Sequence, residues 1–128
     1  MLRPGGGVER TISNMNLLIT AGNTQVPIDG VRVITNVFTG RTGAYLARAA
    51  AGRGHRVTVL TSNPEHLTGL PDDPDPERRT TVIPYRTYDD LASLFEHSVK
   101  SGGFDAIVHS AAVADFLVAG SYAAAPGT

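Results

Sequence analysis

Residues 17–43 read LLITAGNTQVPIDGVRVITNVFTGRTG, and the fold turns on how the first third of this stretch is joined to the last. Leu17, Leu18 and Ile19 form an apolar run that ends in Thr20-Ala21-Gly22. A buried parallel strand enters the turn at its carboxyl end in this way. In a dinucleotide-binding unit the glycines follow at once and a helix begins within a few residues. Here a polar segment with Pro27, Asp29 and Gly30 intervenes, and the glycines for close backbone approach come only at Gly40 and Gly43. The inserted loop is where chemistry is expected.

Outward from that stretch, the chain alternates strand and helix signals. Residues 44–51 (AYLARAAA) have strong helix propensity, and Gly52 and Gly54 suit its end. Residues 56–62 read as a second buried strand, and 81–85 as a short edge strand that tolerates Pro84. Between them, 63–79 carries prolines at 64, 71, 74 and 76 and reads as a surface loop. Thr87 is a plausible N-cap with Asp89 and Asp90 in the first turn. Leu91, Leu94, Phe95 and Val99 then lay one apolar stripe on a helix that Gly102-Gly103 stops. Residues 104–109 form the last strand.

Right-handed crossovers turn this order into an α/β, Rossmann-like three-layer sandwich with a mostly parallel sheet, strand order 3-2-1-4. Its ligand crevice belongs between the first and fourth strands, at their carboxyl ends. Residues 1–15, rich in glycine and polar side chains, read as a disordered extension. Residues 16–128 read as one domain, with the sheet incomplete at its C-terminal side.

Composition narrows the function. The chain has 128 residues, 41% of them apolar, with 11 basic against 12 acidic side chains. Neither nucleic acid nor an anionic membrane is favoured by such a balance. With no cysteine, disulfides, zinc–thiolate sites and thiol catalysis are excluded. No apolar run approaches the ~20 residues of a membrane span, and the first residues lack a secretory core, so a cytoplasmic protein is expected.

Several residues carry candidate chemistry. Gly40 and Gly43 let a turn run into a helix whose N-terminal amides face an anion. Asn36 offers a neutral amide that can donate to an acyl oxygen without acting as a base. Arg32 could hold a phosphate or carboxylate bidentately, or be a solvated or intersubunit arginine. Asp29 suits an Asx turn. His109 and Ser110 end the fourth strand, where backbone groups meet a ligand, and the small residues after them admit close approach near Asp115. His55, His66 and His97 have no paired spacing and read as surface residues; no metal cage or nucleophilic triad is visible.

Thr20-Ala21-Gly22-x-Thr24-x-x-Pro27-Ile28-Asp29, then Val31-Arg32-x-Ile34-Thr35-Asn36, then Gly40-x-x-Gly43, resembles the opening of the phosphopantothenate–cysteine ligase family. A second block, Ala111-Ala112-Val113-Ala114-Asp115-Phe116, stands where that family reads Ala-Ala-Val-Ala-Asp-Tyr. The resemblance runs from about Asn16 to Tyr122. It implies ligation of 4′-phosphopantothenate with cysteine through an acyl-nucleotide, with a nucleoside triphosphate as substrate (CTP favoured over ATP), Mg2+, and a homodimer. By the same resemblance Asn36 is catalytic and Arg32 binds substrate. Gly22, Gly40, Gly43, His109, Ser110, Ala111 and Asp115 then bind nucleotide.

The chain also departs from the family pattern. Phe38-Thr39 replaces small hydroxyl residues, Arg41 replaces a lysine, and Lys100 is the only lysine, on a different helix. The rival readings are an NAD(P)-binding reductase or epimerase domain, and an inactive nucleotide-binding fragment. Against the first, compact glycine spacing and a Tyr-x-x-x-Lys pair are both missing.

Overall fold

A computed structural model describes residues 15–35, 39–70, 73–114, 117–120, 122 and 124–126. In chain order its elements are β1 (Asn16–Ala21), β2 (Gln25–Pro27), β3 (Val33–Thr35), α1 (Arg41–Gly52), β4 (Arg56–Thr61), β5 (Thr80–Pro84), α2 (Tyr88–Ser101) and β6 (Ala106–His109). Short 3-10 turns occupy Pro64–Leu67 and Pro76–Arg78. The main sheet runs β5-β4-β1-β6 with every pairing parallel. That is the order 3-2-1-4 expected from the sequence.

Successive residues of β1 point to opposite faces of the sheet, as the pleat requires. Ile19 and Ala21 join Val57, Val59, Ala44 and Ala47 under α1. Leu18 joins Leu60, Tyr85 and Leu91 under α2. One central strand thus feeds two cores, one on each face of a three-layer sandwich.

The α1 side is packed with the smallest residues available. A Cβ placed on Gly43 would stand 3.1 Å from Ala21 Cα and overlap the Ala21 methyl. The α2 side is fixed by its cap. Thr87 Oγ1 accepts from Asp90 N at 3.2 Å, and Asp90 Oδ2 accepts from Thr87 N at 3.1 Å. This reciprocal pair satisfies two helix-end donors. The backbone hydrogen bond from Thr87 holds the Asp90 carboxyl below its ordinary range. Gly102, at φ +74°, ends the helix.

Four expectations need correction. The inserted loop is not irregular: β2 and β3 pair antiparallel as a small hairpin, Val26 opposite Ile34. Residues 63–79 are not simply a surface loop, because the first 3-10 turn buries Leu67 in the α1 core. Arg48 holds that turn by donating to the carbonyls of His66 and Thr68. On α2, Val99 faces outward and Ser98 is buried instead, since helical spacing from Leu91 and Leu94 places position 98 on the inner face. His55 and His66 are half-buried rather than on the surface. Among the described residues β6 pairs on one side only, leaving Ile107 45% and Val108 38% exposed.

The contact between α1 and β1 yields a first prediction. Gly43→Ala should cost roughly 1–3 kcal/mol through overpacking, and Ala21→Gly in the same chain should restore part of the loss. Urea denaturation of the two single variants and the double variant measures this. Additive losses would show that the two positions do not share the contact.

Candidate functional site

Three segments meet where the strand order reverses. The ends of β1 and β6 and the start of α1 enclose a cavity of about 440 Å³, lined by Gly22, Thr39, Gly40, Arg41, Thr42, Ser110, Ala111 and Ala112. That volume lies in the range of small-molecule sites. The sequence reading had placed Gly22, Gly40, Ser110 and Ala111 here. Thr39, Arg41, Thr42 and Ala112 join them.

Glycine backbones make the floor. Gly22 and Gly40 both have positive φ, +93° and +88°. A Cβ on Gly40 would stand 2.6 Å from Gly22 Cα, and one on Gly22 would stand 2.9 Å from Ser62 N. A side chain on Gly40 would lift the start of α1 off β1, and one on Gly22 would drive into Ser62 at the end of β4. Gly43 acts one layer deeper: it faces β1 rather than the cavity, and so sets the seat of α1.

The two walls have opposite polarity. On the α1 side the first intrahelical bond is donated by Ala44 N to Gly40 O, 3.0 Å. The amides of Arg41, Thr42 and Gly43 are therefore the orphan donors of the first turn. No acidic side chain stands in that turn, and Arg41 adds a positive charge to the helix dipole. Asn63 Nδ2 donates to Thr39 O and steadies the approach to the helix.

On the β6 side the backbone donors are spent internally. Ser110 N donates to Thr20 O at 3.0 Å and Ala112 N to Gly22 O at 2.8 Å. Ala111 N donates to Thr20 Oγ1 at 3.3 Å. Of its carbonyls, that of Ala112 accepts from Thr24 N at 3.2 Å, so besides the Ser110 hydroxyl this wall offers small side chains and the carbonyls of Ser110 and Ala111. A further link, Ala114 N to Thr24 Oγ1 at 2.8 Å, carries the pairing of the two segments past their strands.

Tyr85 braces the end of β1 from beneath. Its buried hydroxyl donates to Ala21 O at 2.8 Å, and burial pushes its pKa from 10.0 up to about 12. The sequence held a weak signal for it, an aromatic closing an otherwise aliphatic edge strand. Thr20, Thr24 and Asn63 carried less, because a threonine in a strand reads as ordinary β propensity.

The remaining candidates lie elsewhere. Arg32 sits on the hairpin turn, where Nε and Nη2 both donate to Asp29 Oδ2, at 2.9 and 2.7 Å. Asp29 Oδ1 accepts from Val31 N and Arg32 N, completing the expected Asx turn. The Arg32 side chain, followed by those two amides, holds the Asp29 carboxyl below its usual range. Neither residue lines the cavity. His109 is tied to Thr20, Nδ1 to Oγ1 at 2.6 Å. Asn36 and Asp115 lie outside the described residues.

Comparison with known proteins places the fold in a family. A family model described as the DNA/pantothenate metabolism flavoprotein C-terminal domain matches residues 12–124. The coenzyme A biosynthesis bifunctional protein CoaBC of Mycobacterium tuberculosis is 37% identical over 105 residues, covering 82% of this chain and 23% of the relative. The solved C-terminal domain of a CoaBC protein superposes with a TM-score of 0.60 at 28% identity, over 83% of this chain and 48% of that one. A Cab2 variant solved with phosphopantothenate-cysteine gives a TM-score of 0.63 over 88% of this chain and 50% of that one. Its identity is 21%, a likeness of fold alone. The chain thus spans about a quarter of the length of the curated relatives it matches.

The buried tyrosine makes stability pH-dependent at the alkaline end. Raised in the folded state, its pKa lets the native protein hold a proton that the unfolded chain releases first. This contribution is complete below pH 10 and is lost as pH rises toward 12. Tyr85→Phe should flatten that part of the stability–pH curve measured by urea denaturation. An unchanged slope would remove Tyr85 as its source.

Proposed function

We propose a function from one premise: this chain belongs to the family of the DNA/pantothenate metabolism flavoprotein C-terminal domain. The proposed reaction is nucleoside-triphosphate-dependent ligation of 4′-phosphopantothenate with cysteine, a step of coenzyme A biosynthesis. The observation that carries it is the opposed polarity of the crevice walls. A nucleotide is an anion at one end and a set of hydrogen-bond donors at the other. Phosphates suit the amides and Arg41 at the start of α1, whereas ribose hydroxyls and an exocyclic amino group suit the carbonyl-bearing wall at 110–112.

The chemistry needs such a site because amide formation from a carboxylate is uphill in water. The carboxylate oxygen of phosphopantothenate attacks the α-phosphorus, pyrophosphate leaves, and an acyl-nucleotide results. The cysteine amine then attacks the acyl carbon, loses a proton, and expels the nucleoside monophosphate. The chain's part is to hold the triphosphate in line and stabilise developing charge. Asn36, directly after β3, is the proposed donor to the acyl oxygen. Arg32, drawn from Asp29, is the proposed contact for a substrate anion.

Magnesium arrives with the triphosphate as part of the substrate. In this reading the phosphates carry the ion. We favour CTP as the nucleotide, a homodimer as the assembly and the cytoplasm as the location. The hairpin exposes Val31 at 93%, with Val33 and Ile34 beside it, an apolar arm suited to a second copy. No helix among the described residues is long and apolar enough to cross a membrane.

Titration calorimetry with CTP, ATP and NADPH, each with magnesium, tests the reading. A triphosphate should bind, and Arg41→Gln should weaken it about tenfold, the roughly 1.4 kcal/mol of one charge-assisted contact, with thermal stability unchanged. NADPH binding without triphosphate binding would transfer the chain to the reductase class.

A further inference from the structure

The Thr20 side chain is fully buried, yet its hydroxyl is the meeting point of three groups. Ser110 N lies 3.1 Å from Oγ1, Ala111 N 3.3 Å, and His109 Nδ1 2.6 Å. A hydroxyl donates one hydrogen and accepts through two lone pairs. Amides only donate, so of these three partners the imidazole nitrogen alone can take the Thr20 hydrogen. A proton on Nδ1 would instead leave the buried hydroxyl hydrogen facing donors only, at the cost of an unsatisfied buried group.

We infer that His109 is a positioning residue: as the Nε2–H tautomer it accepts the Thr20 proton at Nδ1, which turns the Thr20 lone pairs toward Ser110 N and Ala111 N and fixes the crevice wall. The imidazole touches no ligand in this role. Its plane is steadied by Phe95 of α2, whose ring centroid lies 6.2 Å away at 66°. The chain of contacts runs from α2, through His109 and Thr20, to the two residues that face the cavity. Sequence position alone suggested a different part for His109, among the groups that bind the nucleotide. The consequence for affinity rests on the nucleotide reading above; the tautomer and the wall's rigidity do not.

Two readouts separate these parts. Nitrogen-15 NMR of the imidazole in the whole chain should show Nδ1 unprotonated and Nε2 protonated under conditions where the ring is neutral. Amide hydrogen exchange should show Ser110 and Ala111 protected. His109→Leu should lower the protection of Ala111 at least tenfold, Ser110 N keeping its bond to Thr20 O, and weaken Mg·CTP binding several-fold. His109→Asn, whose side-chain oxygen can stand in for Nδ1, should restore both toward the wild-type values. A wild-type proton on Nδ1 overturns the assignment without any variant. So does a folded His109→Leu protein with unaltered protection of Ala111. If the wild-type chain binds no triphosphate while tautomer and protection follow expectation, the nucleotide reading fails and the positioning role stands.

Discussion

The site depends on one steric constraint, the seating of the first helix against the end of the central strand with no side chain between them. Gly40 meets Gly22, and Gly43 meets Ala21, at distances no Cβ would allow. Close packing makes such a contact discrete: the helix either sits there or is displaced by a methyl group's width. Because it sits there, the orphan amides of its first turn open into the same space as the end of β6. Moving the helix outward would widen the cavity and separate its donor wall from its acceptor wall.

That constraint explains which parts of the fold were legible in the sequence. Leu18 and Ile19, Val57 and Val59, and the alanine-rich helix are strong, regular signals, and they were enough to give the strand order and the location of the crevice. Thr87 as N-cap, with Asp89 and Asp90 in the first turn, announced the second helix. The hairpin was hidden because its strands are three residues each and largely exposed, too short for alternation to register. Leu67 was hidden by its prolines, which mark a break in periodicity but not whether the segment folds back on the core. Val99 was misplaced because its apolarity outweighed the geometry that buries Ser98.

Within the site, glycines and small residues could be placed because absence of a side chain is itself a signal. Polar groups could not be ranked in the same way. Thr20 and Thr24 look like common strand residues, yet they fasten the segment after β6 to β1 and to the segment that follows it. Arg32 and Asp29 show the opposite case. Arg32 looked available to a ligand, and it instead pairs with Asp29, the expected Asx-turn residue, across a tight turn. An exposed pair of this kind contributes little to stability.

The insertion between β1 and α1 is what separates this crevice from that of a dinucleotide-binding sheet. A compact glycine turn wraps a pyrophosphate with one continuous loop. Here the chain leaves the sheet after Gly22, runs out through the β2–β3 hairpin, and returns to the same spot at Gly40. The orphan amides at the helix start are kept, because the helix still begins against the end of β1. What is gained is an arm of seventeen residues, positions 23–39, anchored at both ends of the crevice and free to differ from it chemically. Gln25 is bound back to the main body through Arg86 O at 2.8 Å, so the arm leaves the sheet in a fixed direction. The helix N-terminus and the arm are thus specified by different segments, and each can vary without displacing the other.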